Sequence, residues 1–277
     1  MPKILANEIT IYYEIHGDHK NPPVVLVGGL SRDHNIWNPV LPYLTSDYKV
    51  ILIDNRGAGQ TDKPEGPYDT EMLGKDLAAL LGQLKLGPAH IIGHSMGGFA
   101  SMFLAANHPE LVADLILCST CSKQPKEGIT YLTQRLELLK VGTTPPEEMI
   151  RTALPWLHTK KFLSEEKIQS LINTAFSNPH PQPKAALEAQ TIACINHDAT
   201  KILSSIKAPT LVITGREDKV MTPQVCLELK NQIQGADLVL IDNSAHMLQT
   251  ETPEELCSVI KSFIQKLVNK NLNSLRF

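Results

Sequence analysis

The sequence lacks a broad field of either charge: 26 Lys and Arg stand against 29 Asp and Glu, a formal net charge of −3 over 277 residues. That excludes the basic face that would gather nucleic acid or an anionic membrane surface. An ordered cysteine framework is missing too. Cys118, Cys121, Cys194, Cys226 and Cys257 are odd in number and scattered, unlike the spacing of a disulfide-stapled secreted domain. No apolar run reaches the roughly 18 residues that a bilayer span needs. The first residues, Met1-Pro2-Lys3-Ile4-Leu5-Ala6-Asn7-Glu8, carry no signal-peptide core, so a cytoplasmic protein without a membrane span is expected. Nucleotide signatures are absent as well: Gly57-Ala58-Gly59 lacks the third glycine of a dinucleotide fingerprint, and no Gly-Lys-Ser/Thr phosphate loop occurs. There is no repeat or low-complexity tract, and no feature fixes an oligomeric state.

What is present suffices for a large core. Hydrophobic residues make up 42% and charged residues 20%, too apolar a balance for a disordered chain. Up to about residue 120, short β-branched runs at 9–15, 24–27, 50–53, 90–92 and 115–117 are interspersed with longer helical patterns. The clearest helix is 70–84, where Leu73, Leu77, Leu80, Leu81 and Leu84 recur at helical spacing before Gly87-Pro88 stops it. This pattern predicts an α/β fold, a mostly parallel central sheet with helices on both faces. From 122 to 205 strand-like runs vanish and prolines break helical stretches, predicting a helical insertion. It holds ten basic and eight acidic residues, an ordinary solvated balance. Strand signals return at 210–214 and 238–241. Residues 1–121 and 206–277 therefore read as one core domain and 122–205 as a helical cap, with the tail from Asn269 expected to fray.

The strongest chemical signal is Gly93-His94-Ser95-Met96-Gly97, set between the run at 90–92 and a small-residue helical stretch from Gly98 to Ala106. A serine nucleophile must stand clear of its sheet, and glycines around it permit the sharp strand-to-helix turn. Serine needs a base, and the base needs an acid to orient it. In proteins of this strand–turn–helix type the chain order is serine, acid, histidine. Asp218, after the run 210–214, and His246, after 238–241, occupy the loops where acid and base belong. Glu217 and Asp242 compete for the acid's place. Oxyanion donors are expected from the backbone N–H of Met96 and of Leu30, in Gly28-Gly29-Leu30.

With these residues the chain resembles the α/β-hydrolase fold family, specifically small cofactor-free esterase-like members with a helical cap. The resemblance runs through residues 24–30, Asp54-Asn55-Arg56-Gly57-Ala58-Gly59-Gln60-Thr61-Asp62, the Ser95 motif, Asp218 and His246. It departs at Gly28, where many members have histidine, and at Ala245, where glycine usually precedes the catalytic histidine. The resemblance implies a serine hydrolase acting on a small-molecule ester or related acyl substrate, with neither metal nor cofactor. Lactonase, C–C hydrolase, acyltransferase or perhydrolase chemistry on the same site, or a slow ligand receptor, are the alternatives. A pocket is expected to involve Gly29, His94, Trp156 and Phe162, with Met149, Leu154, Leu157 and Phe176 nearby, while Trp37 reads as core packing. Cys118-Ser119-Thr120-Cys121 ends a buried strand and has no second pair, so no redox or metal role is expected of it.

Overall fold

The computed structural model describes residues 2–274. Its first half runs β1 (Lys3–Ala6), β2 (Ile9–His16), β3 (Pro23–Val27), α1 (Leu41–Leu44), β4 (Lys49–Ile53), α2 (Thr70–Leu84), β5 (Ala89–His94), α3 (Met96–Asn107) and β6 (Val112–Cys118). Helices α4 (Lys126–Val141), α5 (Pro146–Leu157), α6 (Glu165–Phe176) and α7 (Lys184–Ile195) follow. The chain closes with β7 (Thr210–Gly215), α8 (Pro223–Gln232), β8 (Asp237–Ile241), α9 (Leu248–Glu251) and α10 (Pro253–Ser274).

The strands form one sheet in the order β1-β2-β4-β3-β5-β6-β7-β8. β2 pairs antiparallel with β1 and β4, and the remaining pairs are parallel. Side chains alternate across a strand, and the central strands carry apolar residues toward both faces because both are covered. Val25, Val27, Ile51, Ile91, Leu115 and Val212 join a core with Leu73 and Leu77 of α2, Phe99 of α3 and Leu229 of α8. Their neighbours Val24, Leu26, Val50, Leu52, Ile92 and Ile213 join the opposite core with Trp37, Leu44 and Ile260 of α10.

Helix α2 has the bounds its leucine spacing predicts. The Asp69 carboxylate caps it by accepting the Met72 N–H at 2.6 Å, and Lys85 ends it in a left-handed conformation. Strand β1 was not foreseen, since its short pattern alternates without a sustained apolar run. The tail from Asn269, expected to fray, is helical as far as Ser274 in α10, whose apolar stripe runs through Leu256, Ile260, Phe263 and Ile264. Residues 275–277, the rest of that expectation, lie outside the described residues. No helix among the described residues is long and apolar enough to cross a membrane.

Helices α4–α7 occupy the strand-free stretch, and several prolines that break the sequence pattern act as helix starts, Pro146 opening α5 and Pro183 preceding α7. Polar side chains sew this stretch to the sheet. Buried Gln190 of α7 accepts the Ser31 N–H at 3.1 Å and donates to the Arg56 carbonyl at 2.7 Å. Glu251 accepts the N–H and hydroxyl of Thr159, each at 2.8 Å, and with its other oxygen the Ala245 N–H at 2.8 Å. On the sheet side, Arg56 forms a two-pronged pair with Asp76 of α2 at 2.8 and 2.7 Å, both side chains buried. Arg56→Met leaves that carboxylate without its counter-charge and should destabilise the fold by about 3–5 kcal/mol, read as a lowered urea midpoint.

His197, just beyond α7, stacks on Phe99 at 3.8 Å between ring centroids. Its Nε2–H donating to the Cys121 carbonyl at 3.2 Å leaves Nδ1 to accept the Thr70 hydroxyl at 2.9 Å, an arrangement of the neutral ring. Burial pushes its pKa down to about 4, against the partial support of the Cys121 carbonyl. The unfolded chain, with an ordinary histidine pKa of about 6.5, therefore binds the extra proton first. This contribution to stability is complete above pH 6.5 and is lost as pH falls toward 4. His197→Asn should flatten the acid limb of a urea-midpoint profile between pH 6 and 5, by about 1.4 kcal/mol per pH unit relative to the parent protein.

Candidate active site

Ser95 sits between β5 and α3 with φ 54° and ψ −119°, a left-handed conformation that a side chain adopts at a cost of about 1–3 kcal/mol. The surroundings enforce it. A Cβ on Gly97 would lie 2.2 Å from the Val27 carbonyl oxygen, and one on Gly93 would lie 2.5 Å from Ser101 Oγ. Only glycine lets β3, β5 and α3 approach this closely. The Ser95 N–H donates to the Cys118 carbonyl at 2.9 Å, and Thr120 Oγ1 donates to the Ser95 carbonyl at 2.9 Å, fixing both sides of the turn.

The other two candidates arrive from β7 and β8. A Cβ on Gly215 would lie 2.3 Å from the Ser244 carbonyl oxygen, so the loop after β8 rests directly on the end of β7. This contact brings His246 Nδ1 to 3.0 Å from Asp218 Oδ2. Asp218 Oδ1 accepts the N–H groups of Val220 and Met221, both at 2.8 Å. Burial alone would raise its pKa; the His246 ring and these two amides outweigh it and hold the carboxyl below its ordinary range. An ionised Asp218 orients Nδ1–H toward itself and leaves the Nε2 lone pair free. The competing acids lie elsewhere: Glu217 is exposed, and exposed Asp242 pairs with Arg216 at 2.5 Å. No hydrogen bond joins the Ser95 hydroxyl to the His246 ring; both side chains line one cavity.

That cavity has a volume of about 220 Å³ and lies between the strand ends and helices α4, α5 and α7. Among the described residues neither the Leu30 nor the Met96 N–H donates to another protein group. Gly29 and His94 line the cavity, as do Met149, Leu154 and Leu157. Trp156 and Phe162 do not, which corrects the sequence expectation. Trp156 is 45% exposed and packs on Tyr131, while Phe162 stacks on His158 under Lys167. Helix α5 turns its Leu154 and Leu157 inward, so Trp156 between them points away. Phe176 is also exposed and outside the lining.

His94 donates from Nε2 to the His246 carbonyl at 2.9 Å, and Trp37 packs against it edge-on. Its pKa is pushed down to about 3, by burial and then by His246. Sequence reasoning missed Arg32, Tyr131 and Arg135 in the cavity wall, and Glu251 behind the His246 loop. Arg32 had a signal, a charge two residues beyond Leu30; Glu251 had none. Cys118 and Cys121 are free and buried, with burial raising both thiols. Among the described residues no cluster of three His, Cys, Asp or Glu converges to hold a metal ion.

Comparison with known proteins agrees with this architecture. One similar protein, provisionally named carbamate hydrolase RutD, from Rhizobium rhizogenes, is 27% identical over 261 residues, 92% of this chain and 98% of that one. 3-Oxoadipate enol-lactonase 1 of Acinetobacter baylyi is 26% identical over 264 residues, covering 93% and 94%. The crystal structure of an enol-lactonase from Burkholderia xenovorans superposes with a TM-score of 0.86 at 26% identity, covering 95% of this chain and 100% of that one. The family model of the alpha/beta hydrolase fold matches residues 22–253, and the chain belongs to that family of hydrolases.

Proposed function

We propose that this hydrolase cleaves a carboxylic ester, or an equivalent acyl bond such as a lactone, with Ser95 as nucleophile, His246 as base and Asp218 as the acid that orients it. The observation that carries the reading is the buried Asp218–His246 pair at 3.0 Å, whose histidine lines one cavity with a serine held at φ 54°. Rotation of the Ser95 hydroxyl toward the free Nε2 completes the relay; such contacts are often open without substrate and tighten when it binds. His246 then takes the hydroxyl proton as Oγ attacks the carbonyl carbon. Leu30 and Met96 N–H groups receive the oxyanion, each donor worth about 2.7–4 kcal/mol of barrier. The protonated ring returns the proton to the leaving oxygen, and water repeats the sequence to release the acid.

Residues 122–205 act as the cap over this chemistry in the same reading, because α4, α5 and α7 supply much of the cavity wall. The enol-lactonase relatives favour a lactone as the nearest variant of an open ester.

Ser95→Ala should abolish turnover of short p-nitrophenyl esters while leaving the thermal midpoint near that of the parent. Asp218→Asn should lower kcat on the order of 10⁴-fold, and Asp242→Asn should stay within about threefold, as expected of an exposed side chain. Steady-state kinetics on the three variants checks the assignment. Full activity in Ser95→Ala, or the large loss falling on Asp242→Asn, would reject it.

A further inference from the structure

The cavity that holds Ser95 and His246 is lined by two arginines, Arg32 and Arg135, and by no aspartate or glutamate. Arg135 is already committed. Its Nη2 donates to the Met149 carbonyl at 2.6 Å, and its guanidinium lies 5.7 Å over the Tyr131 ring. Arg32 is not: among the described residues no hydrogen bond or ion pair holds its guanidinium. Its chain neighbour Asp33 is engaged elsewhere, one carboxylate oxygen accepting the Asn35 N–H at 3.0 Å and the other the Asn178 amide at 2.8 Å. Burial works against the charge on Arg32, opposed by Asp33 and Tyr131, yet a guanidinium does not give up its proton in a protein.

A half-buried cation without a partner is unfavourable unless something supplies the opposite charge. Among the described residues no carboxylate pairs directly with it, Asp33 acting only through space. The Arg32 N–H bonds back to the Gly29 carbonyl at 3.2 Å, so this charge is anchored one tight turn from the Leu30 amide. A molecule placing its acyl carbon at Ser95 thus has a cation within the same small cavity, and otherwise meets apolar side chains such as Leu132, Leu136, Leu154 and Met247.

From this juxtaposition we infer that the substrate carries a free carboxylate in addition to its scissile acyl bond, and that Arg32 receives it through a planar, two-pronged pair. This rests on the hydrolase reading above for the position of the reacting carbon, and it adds a specificity residue. Guanidinium geometry matches a carboxylate in a way an ammonium does not, so lysine is only a partial substitute.

Two matched pairs of esters test the inference. p-Nitrophenyl hemiglutarate against p-nitrophenyl pentanoate puts the charge on the acyl side; 4-acetoxybenzoate against 4-methylphenyl acetate puts it on the leaving side. In each case the ester C–O bond breaks, the phenol departs, and water's oxygen stays on the acyl carbon. The parent protein should prefer the anionic member of at least one pair in kcat/KM. Arg32→Met should lower kcat/KM for that member about 10²-fold and for its neutral partner less than tenfold, with Arg32→Lys in between. Preference for the neutral member in both pairs, or an equal fall for both members in Arg32→Met, would overturn the inference. Calorimetric binding of glutarate to Ser95→Ala gives a readout that needs no turnover: adding Arg32→Met should weaken Kd at least tenfold, and an unchanged Kd would likewise overturn it. Ester turnover surviving in Ser95→Ala alone would instead reject the nucleophile, leaving the Arg32 comparison readable.

Discussion

The left-handed turn at Ser95 is the constraint around which the rest of the molecule is arranged. A serine at φ 54° persists only where its surroundings over-determine it. Here the sheet does so: β3 presses on Gly97, α3 presses on Gly93, and β6 holds the serine N–H through the Cys118 carbonyl. The central strands must be apolar on both faces and tightly spaced for this to work, and that explains why the two buried cores converge beneath one short loop. The strain is local and the support is global.

The same logic extends to the histidine. His246 lies in a loop, and loops are mobile unless tied. This one is tied three ways: His94 Nε2 holds its carbonyl, Glu251 holds the Ala245 N–H, and the Met247 N–H donates to the Leu157 carbonyl at 3.1 Å. Two of these ties reach helical residues of the insertion or its connections, since Glu251 also grips Thr159. The Leu157 carbonyl of α5 and Thr159 just beyond it therefore share a hydrogen-bond network with the loop that carries His246.

How much of this was legible in the sequence follows from which interactions are local. Helix α2 could be bounded from its leucine spacing and the residues after it, because cap and stop signals are written within a few residues. Strands β3 to β7 were visible as apolar runs, since strands buried on both faces need nothing else, and the half-buried edge strand β8 shows a run of the same kind. The elbow at Ser95 was legible because glycine is the only residue that fits there. What stayed hidden depends on side-chain direction and distant pairing. Trp156 and Leu157 are neighbours in sequence, yet only one faces the cavity, and composition cannot say which. Asp218 could be placed from its loop after β7, but not the contacts that set it apart from its competitor: Arg216 pairs with Asp242, and two amides donate to Asp218. Strand β1 is too short to announce itself, and α10 outlasts its apolar stripe by propagation from an anchored helix.

The electrostatics of the cavity fit the proposed chemistry through what is kept neutral as much as through what is charged. The proposed reaction would generate an imidazolium at His246 and an oxyanion beside Ser95, so a second cation touching the imidazole would oppose its first step. His94 is in contact with that ring, at 4.9 Å between centroids, and is itself a histidine. Burial settles the matter by pushing its pKa down to about 3, so that throughout the neutral range it donates one hydrogen bond and adds no charge. The full negative charge, on Asp218, stands behind the ring and outside the lining, where it stabilises the cation without repelling the oxyanion directly. Charge of one sign thus flanks the ring on its far side, while the cavity keeps its positive character for the incoming substrate.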